Sequence, residues 1–439
     1  MTAILTNILA FAFALGVIIF VHEGGHLLMA KTFGMRVLTF SLGFGQRLWG
    51  FTRGETEYRV SAIPLGGYVR LGGESLEEAT GDPREFLSKP RWQRILVYVA
   101  GPFMNVVLAV ALFSALFMVG IAVPNPSGIP PLVGSVEPAS SAAAAGIARG
   151  DRIVAANGES VGNWQDLGFA LMTSPGKPVL LTVERGARRF PATVTPLVDP
   201  RYAIGDWAGL FPSVRPQVTD VRAGSPAAAA GFRTNDEIRA VDRHPIADNR
   251  DFVAYIEKRA GQRVEIQVLR DGGLVTLPVT PRLENGRGVI GIGIGFYQRY
   301  GPGQAVVESL RYNAQIVVET FRLIGKIFTR QISAKGALAG PIEIAAESGA
   351  AARTGFKYLL HLMGFISISI AILNLMPIPI LDGGQIFILL IEGVIRRDLS
   401  LRLKEIIAQV GFVMILLLMF VVIWFDLSKH LPSHLLPGS

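Results

Sequence analysis

Two histidines four residues apart, with a glutamate beside the first, form the pattern His22-Glu23-Gly24-Gly25-His26, the set in this chain best equipped for chemistry. At helical spacing both imidazoles fall on one face and can reach a single tetrahedral Zn²⁺, while Glu23 is offset round the helix, beside the position of a metal-held water. The motif closes a run of twenty-one residues that contains no charged side chain. Ionisable groups inside a spanning segment are costly unless they pair, bind metal or line a wet cavity, so this placement points to function. Two blander readings stand beside it: a chance match among six histidines, and a helix end whose polar residues rest at the headgroups. A third ligand decides between them.

The elements that must position these groups are membrane helices. Half of the 439 residues are hydrophobic and 17% are charged, and the apolar excess falls in blocks. Four spans are expected, at residues 3 to 29, 95 to 121, 358 to 381 and 406 to 425, each about as long as a bilayer requires. The first lacks a basic leader and a small-residue cleavage site, so it is read as a span and not a signal peptide. Ten Lys and Arg lie between Lys31 and Arg94, and four between Arg396 and Lys404. By the positive-inside rule both loops are cytoplasmic, which leaves the termini and the long middle region outside. The net charge of +8 reflects this anchoring, and no basic stretch interleaved with aromatics suggests nucleic acid as a partner. With no cysteine, disulfides and thiolate metal sites are excluded.

The third span carries Asn374-Leu375-Met376-Pro377-Ile378-Pro379-Ile380-Leu381-Asp382-Gly383-Gly384, which puts a carboxylate near its cytoplasmic end. The first span runs the same way, so Asp382 matches His22 and His26 in depth. A His₂-carboxylate set leaves the fourth zinc position open, as catalytic sites do. Asp382 also reads as a residue that ends a helix before Gly-Gly. Pro377 and Pro379 break the backbone hydrogen bonding at this depth, which is tolerated only where protein or water covers it, so they predict a cavity wall. A substrate helix has to unwind before its carbonyls are open to attack, and an extended segment can then pair with freed backbone or with Asn374. An interhelical hydrogen bond is the other reading of Asn374. His361, His244, His430 and His434 read as structural or solvated.

Taken with Gly43-Phe44-Gly45, Ile63-Pro64-Leu65-Gly66-Gly67-Tyr68-Val69, Ala100-Gly101-Pro102-Phe103-Met104-Asn105 and Gly340-Pro341-Ile342, these segments resemble the site-2 protease family of intramembrane zinc metalloproteases. The resemblance is strongest to bacterial RseP-type members with tandem PDZ domains. It implies that His22, His26 and Asp382 bind zinc, that Glu23 is the catalytic base, and that Asn374, Pro377 and Pro379 lie beside the substrate. It further implies strands over residues 36 to 70, part of them dipping into the membrane, and a bacterial inner-membrane location. Alternation in Thr56-Glu57-Tyr58-Arg59-Val60 agrees with a strand.

The outer region contains a repeat: Gly146-Ile147-Ala148-Arg149-Gly150-Asp151-Arg152-Ile153 returns, shifted by 85 residues, as Gly231-Phe232-Arg233-Thr234-Asn235-Asp236-Glu237-Ile238. Each copy resembles part of a PDZ domain, able to take an extended peptide or to act as a steric filter. Asp242-Arg243-His244 stands where the first copy has Asn157-Gly158-Glu159, so the turns are expected to differ. From Ala305 to Phe328 apolar residues recur at near-helical spacing between charges, which predicts a helix on the outer surface or against the PDZ pair.

The expected architecture is a polytopic α-helical membrane protein with four transmembrane helices, a membrane-associated β region and two periplasmic α+β PDZ domains. Its segments are 1–30 (first helix), 31–94 (β region), 95–121 (second helix), 125–199 and 210–283 (PDZ domains), 300–356 (amphipathic region), 357–393 (third helix), 406–426 (fourth helix) and 427–439 (tail). The expected reaction is zinc-assisted hydrolysis of a peptide bond within a partner's transmembrane segment. By resemblance that partner is a membrane-spanning anti-sigma factor or a remnant signal peptide. A non-catalytic scaffold is disfavoured by the complete ligand set with Glu23, and a metal transporter by the single cluster near one face.

Overall fold

The computed structural model describes residues 2–74, 78–123, 129–199, 204–329 and 338–430. The expected start of the first repeat at residue 125 and His434 in the tail lie outside them. The chain forms two compact units: Met1–Met118 with Gly301–Arg322 and Leu338–Ser439, and Val119–Tyr300 with Leu323–Ala337.

Among the described residues of the first unit four helices are long and apolar enough to cross a bilayer: Ala3–Thr32, Arg91–Val119, Phe356–Leu375 and Arg402–Lys429. Three lie within a few residues of the expected spans; the third is corrected. Its helix stops at Leu375 because Met376, which precedes Pro377, is driven to extended backbone (φ −66°, ψ 146°). Helical structure resumes only at Asp382–Ile395. Asp382 therefore starts a helix instead of ending one.

Residues 37–71 form the expected strands as a long antiparallel hairpin, Val37–Arg53 with Thr56–Leu71, turning at Gly54 (φ 63°). Gly67 brings the second strand onto the first spanning helix. A Cβ there would lie 2.8 Å from Ile19 Cγ2 and 3.0 Å from Glu23 Cγ.

Helix Pro302–Phe328, which belongs to this unit as far as Arg322, buries Ala305, Ser309, Asn313 and Ile316 along one stripe. The stripe meets the second spanning helix: Ser309 Oγ donates to the Val110 carbonyl (2.8 Å), and the Tyr312 ring stands edge-on to Phe113. Helix Pro341–Thr354 follows. The buried Asp426 carboxylate accepts from the backbone N–H groups of Gly340, Ile342 and Glu343 at its start, at 3.0 to 3.2 Å. An acceptor suits these first-turn donors, which have no partner within the helix.

The second unit contains the repeat. In the first copy a sheet runs in the order Glu159–Ser160, Arg152–Ala156, Val179–Arg185, Arg188–Val194, while Val133–Val136 pairs with Leu210–Pro212. In the second copy the order is Gly273–Val279, Val264–Arg270, Glu237–Val241, Gln217–Val221, Ile292–Gln298 and Ile121–Val123. The shift of 85 holds through both cores: Val133, Ala142, Ile153, Leu181 and Val183 correspond to Val218, Ala227, Ile238, Ile266 and Val268, all at 0% exposure. Helix caps repeat as well, with Ser140 and Ser225 accepting from Ala143 and Ala228, and Asn163 and Asp248 from Asp166 and Asp251.

The expected difference between the two turns is corrected. Asn157 and Gly158 (φ 51° and 84°) match Asp242 and Arg243 (φ 47° and 67°). The carbonyl oxygen of the Asn157 side chain accepts from Leu180 N–H, and Asp242 Oδ1 accepts from the equivalent Glu265 N–H, both at close to 2.9 Å. The side-chain acceptor maintains the turn whichever residue follows it.

An ion pair made by a buried carboxylate also recurs. Arg185 Nε donates to Asp151 Oδ1 (2.6 Å) and its terminal nitrogen to the Gly146 carbonyl; Arg270 treats Asp236 and Gly231 alike. Burial by itself would raise the Asp151 carboxyl, but Arg185 and the Ala148 N–H hold it below the usual carboxylate range. A carboxyl so lowered adds stability that is complete above its unfolded value, near 4, and fades as pH falls through the folded value. Asp151→Asn should therefore destabilise the first copy at pH 7, by less than the loss of a fully buried pair because Arg185 is half exposed, and by a smaller amount at pH 3. Hydrogen exchange of the 179–194 amides in the full chain measures it; an equal loss at both pH values removes the ion-pair explanation.

Candidate active site

The structure brings together the three expected ligands. His22 Nε2 and His26 Nε2 lie 3.2 Å apart, and Asp382 places Oδ2 3.2 Å from the first and Oδ1 3.5 Å from the second. Bonds of 2.0 to 2.1 Å to a tetrahedral ion put its ligand atoms about 3.3 Å apart, so the three distances suit one small divalent cation. Lone-pair donors this close repel unless a cation or a proton sits among them. Two imidazoles and a carboxylate suit zinc, and a fourth position stays open.

The second spanning helix backs both histidines. His26 Nδ1 lies 2.7 Å from the Val97 carbonyl and can only donate to it, which leaves Nε2 bare toward the cluster. His22 Nδ1 meets the Asn105 carboxamide at 3.2 Å. The helices come this close because each presents a glycine at the crossing. A Cβ on Gly25 would collide with the Ala100 carbonyl, and one on Gly101 with His26 Nε2. Gly101 and Asn105 belong to a family-like segment, but no spacing in the sequence gives either of them a role.

Asp382 is delivered by the break in the third helix. Leu381 N–H returns to the Ile378 carbonyl (3.1 Å), and Ile380 is held at φ 86°. A β-branched residue in that region is strained by roughly 1–3 kcal/mol, and such strain persists only where its surroundings impose it. Gly383 and Gly384 tuck beneath the loop: a Cβ on the first would strike Leu375 and Met376 backbone, and on the second the Ile378 carbonyl.

These groups line a cavity of about 620 Å³ that also includes Glu23, Phe44, Gly67, Tyr68, Asn374 and Gln385. Glu23 thus shares one chamber with the ligand set, one helical position from His22. The Asn374 amide nitrogen lies 3.3 Å from His22 Nε2. Pro379 instead lines a neighbouring cavity of about 300 Å³ and packs on Gly411, while Pro377 lines neither. His361 is packed between Phe113 and Tyr312, and His244 lies 3.3 Å from Asp251, as structural residues would.

Residues 10–418 match the sequence profile of peptidase family M50. The chain belongs to this family. It is similar to the regulator of sigma-E protease RseP of Escherichia coli (strain K12), at 31% identity over 456 residues, 98% of this chain and 100% of that one. The regulator of sigma E protease of Salmonella typhi gives the same figures, and protease RseP of Yersinia pestis is 30% identical over 461 residues, with 98% and 100% covered. PDZ domains of SdrC-like proteins from Listeria monocytogenes and Listeria innocua are similar at 22% and 20% identity, with TM-scores of 0.17 and 0.18. They cover 18% and 20% of this chain and 86% and 100% of their own. This M50 chain is a zinc metalloprotease of the site-2 type.

The glycine contact gives a direct check on the M50 site. Gly101→Ala should lower the zinc retained by purified protein about tenfold or more while helix content by circular dichroism stays unchanged, because the added methyl displaces His26. Full zinc retention in that variant would mean that the imidazoles do not depend on this crossing.

Proposed function

We propose that this protein hydrolyses peptide bonds within the transmembrane segments of single-span membrane proteins, with His22, His26 and Asp382 holding zinc and Glu23 acting as general base. The observation that carries the reading is the set of three donor atoms at 3.2 to 3.5 Å with Glu23 in the same chamber. Zinc held there supplies Lewis acidity, making water nucleophilic near neutral pH and polarising the scissile carbonyl. The Glu23 carboxylate takes a proton from the attacking water as its oxygen bonds to the carbonyl carbon, then delivers that proton to the nitrogen as the C–N bond breaks. Asn374, at the wall of the chamber, offers an amide to the backbone of an unwound substrate segment, with Pro377 and Pro379 shaping the loop beside it.

Several features support an inner-membrane enzyme with its chamber toward the cytoplasm. The Lys- and Arg-rich loops between the first two and the last two spans are read as cytoplasmic, leaving residues 125–199 and 210–283, the two PDZ domains in this reading, in the periplasm. The names of the relatives point to sigma-E regulation, so an anti-sigma factor trimmed by an earlier cleavage is the favoured substrate, and a remnant signal peptide is the second.

In this reading the two outer copies act as a filter that holds back substrates with bulky outer domains, peptide docking along a strand edge being the other role open to them. A reporter with a folded outer domain should accordingly be cleaved more slowly than its trimmed form, and deletion of 125–283 should remove the difference. Equal cleavage of both reporters by the intact enzyme would rule out the filter.

Glu23→Gln should keep one zinc per chain and lose about 10²- to 10⁴-fold in cleavage of a single-span reporter, whereas His22→Ala and Asp382→Asn should lose both. Undiminished cleavage by the Glu23 variant would end the assignment.

A further inference from the structure

The two ligand imidazoles are backed by different kinds of group. His26 Nδ1 faces a backbone carbonyl, which can only accept, but His22 Nδ1 faces the side chain of Asn105, which can do either. Asn105 has 0% exposure in an otherwise apolar stretch of helix, and among the described residues its Oδ1 has no hydrogen-bond partner. An orphaned carboxamide oxygen at that depth is costly. The two ends of the group exchange by a half-turn about χ2. A histidine that gives its Nε2 lone pair to a metal carries its proton on Nδ1 and needs an acceptor there. The half-turn that brings Oδ1 onto His22 Nδ1 supplies that acceptor.

We propose that Asn105 is the positioning residue for His22: its carboxamide oxygen accepts the Nδ1 proton, commits Nε2 to the metal and sets the plane of the ring. Its backbone is held by the third spanning helix, where Ser367 Oγ donates to the Asn105 carbonyl (2.8 Å). The residue thus joins the helix that carries the histidines to the helix whose break delivers Asp382. This inference rests on the metal-site reading above.

The test uses the full chain purified in detergent, as the unaltered protein, Asn105→Leu, Asn105→Asp and His22→Ala. Zinc affinity is measured by chelator competition, the ligand field by the visible spectrum of the Co²⁺ form, and packing by thermal unfolding of the metal-free protein. Asn105→Leu should bind zinc 10- to 100-fold more weakly with altered Co²⁺ bands, while its metal-free form unfolds as the unaltered protein does. Asn105→Asp, which keeps an acceptor at the same place, should restore most of the affinity. Unchanged affinity and spectrum in Asn105→Leu would overturn the proposal. So would equal losses in the Leu and Asp variants with both unfolding early, since that is the behaviour of a packing residue. Failure of the unaltered protein to bind zinc, or undiminished binding by His22→Ala, would instead overturn the metal-site reading on which the proposal stands.

Discussion

Three lone-pair donors face one another at 3.2 to 3.5 Å between apolar helices, and the rest of the membrane unit is arranged round that convergence. Water cannot screen their repulsion as it would at a surface, so the set is stable only around positive charge. A cation that binds there gains every interaction that the bare groups lack. Val97 and Asn105 lie at the far nitrogens of the two rings: the Val97 carbonyl leaves His26 Nε2 bare, and Asn105 is the residue proposed to do the same for His22. A donor set in this form needs a second helix as much as it needs the motif that supplies the ligands.

That second helix can approach only because each helix presents a glycine at the contact. Between spanning helices apolar burial drives little association, since lipid tails are as apolar as the side chains, and close packing through small residues takes its place. Gly25 and Gly101 serve the crossing of the first two helices, Gly67 seats the hairpin beside Glu23, and Gly383 and Gly384 let the Asp382 helix begin beneath the loop that precedes it. Each of these glycines is a point where any side chain would displace one wall of the chamber.

The last helix shows the same logic at the rim of the unit. Much of its surface is exposed, Leu417 at 63% and Phe420 at 70%, so it is held at discrete points. Gly411 packs on Pro379, next to the Asp382 loop, and Asp426 caps the start of the Pro341–Thr354 helix while Lys429 reaches Glu343 (2.7 Å). Helix Pro341–Thr354 in turn meets the first spanning helix, where Arg353 donates to Asn7. The helix that carries the histidines is thus braced at its inner part by the second helix and at its start by this clasp.

How far the site was legible depends on whether the interaction is local in sequence. His22 and His26 are one helical turn apart, and the repeat announces itself by a shift of 85, so spacing alone exposes both. Asp382 was found by depth, which hydropathy and charge supply. Asn105, Gly101 and Asp426 act on partners 75 to 86 residues away, and no period connects them. Local pattern also misled where two structures share one signature. Asp-Gly-Gly after two prolines reads as a helix end, because glycine follows helix C-termini so often. Yet the prolines had already ended the helix at Leu375, and an acidic residue followed by small ones equally suits a helix start, where the carboxylate meets the positive end of the dipole and the glycines permit close approach. Which of the two applies is decided by the Leu375–Pro379 backbone lying over Gly383 and Gly384. That contact exists only once the chain has turned back on itself.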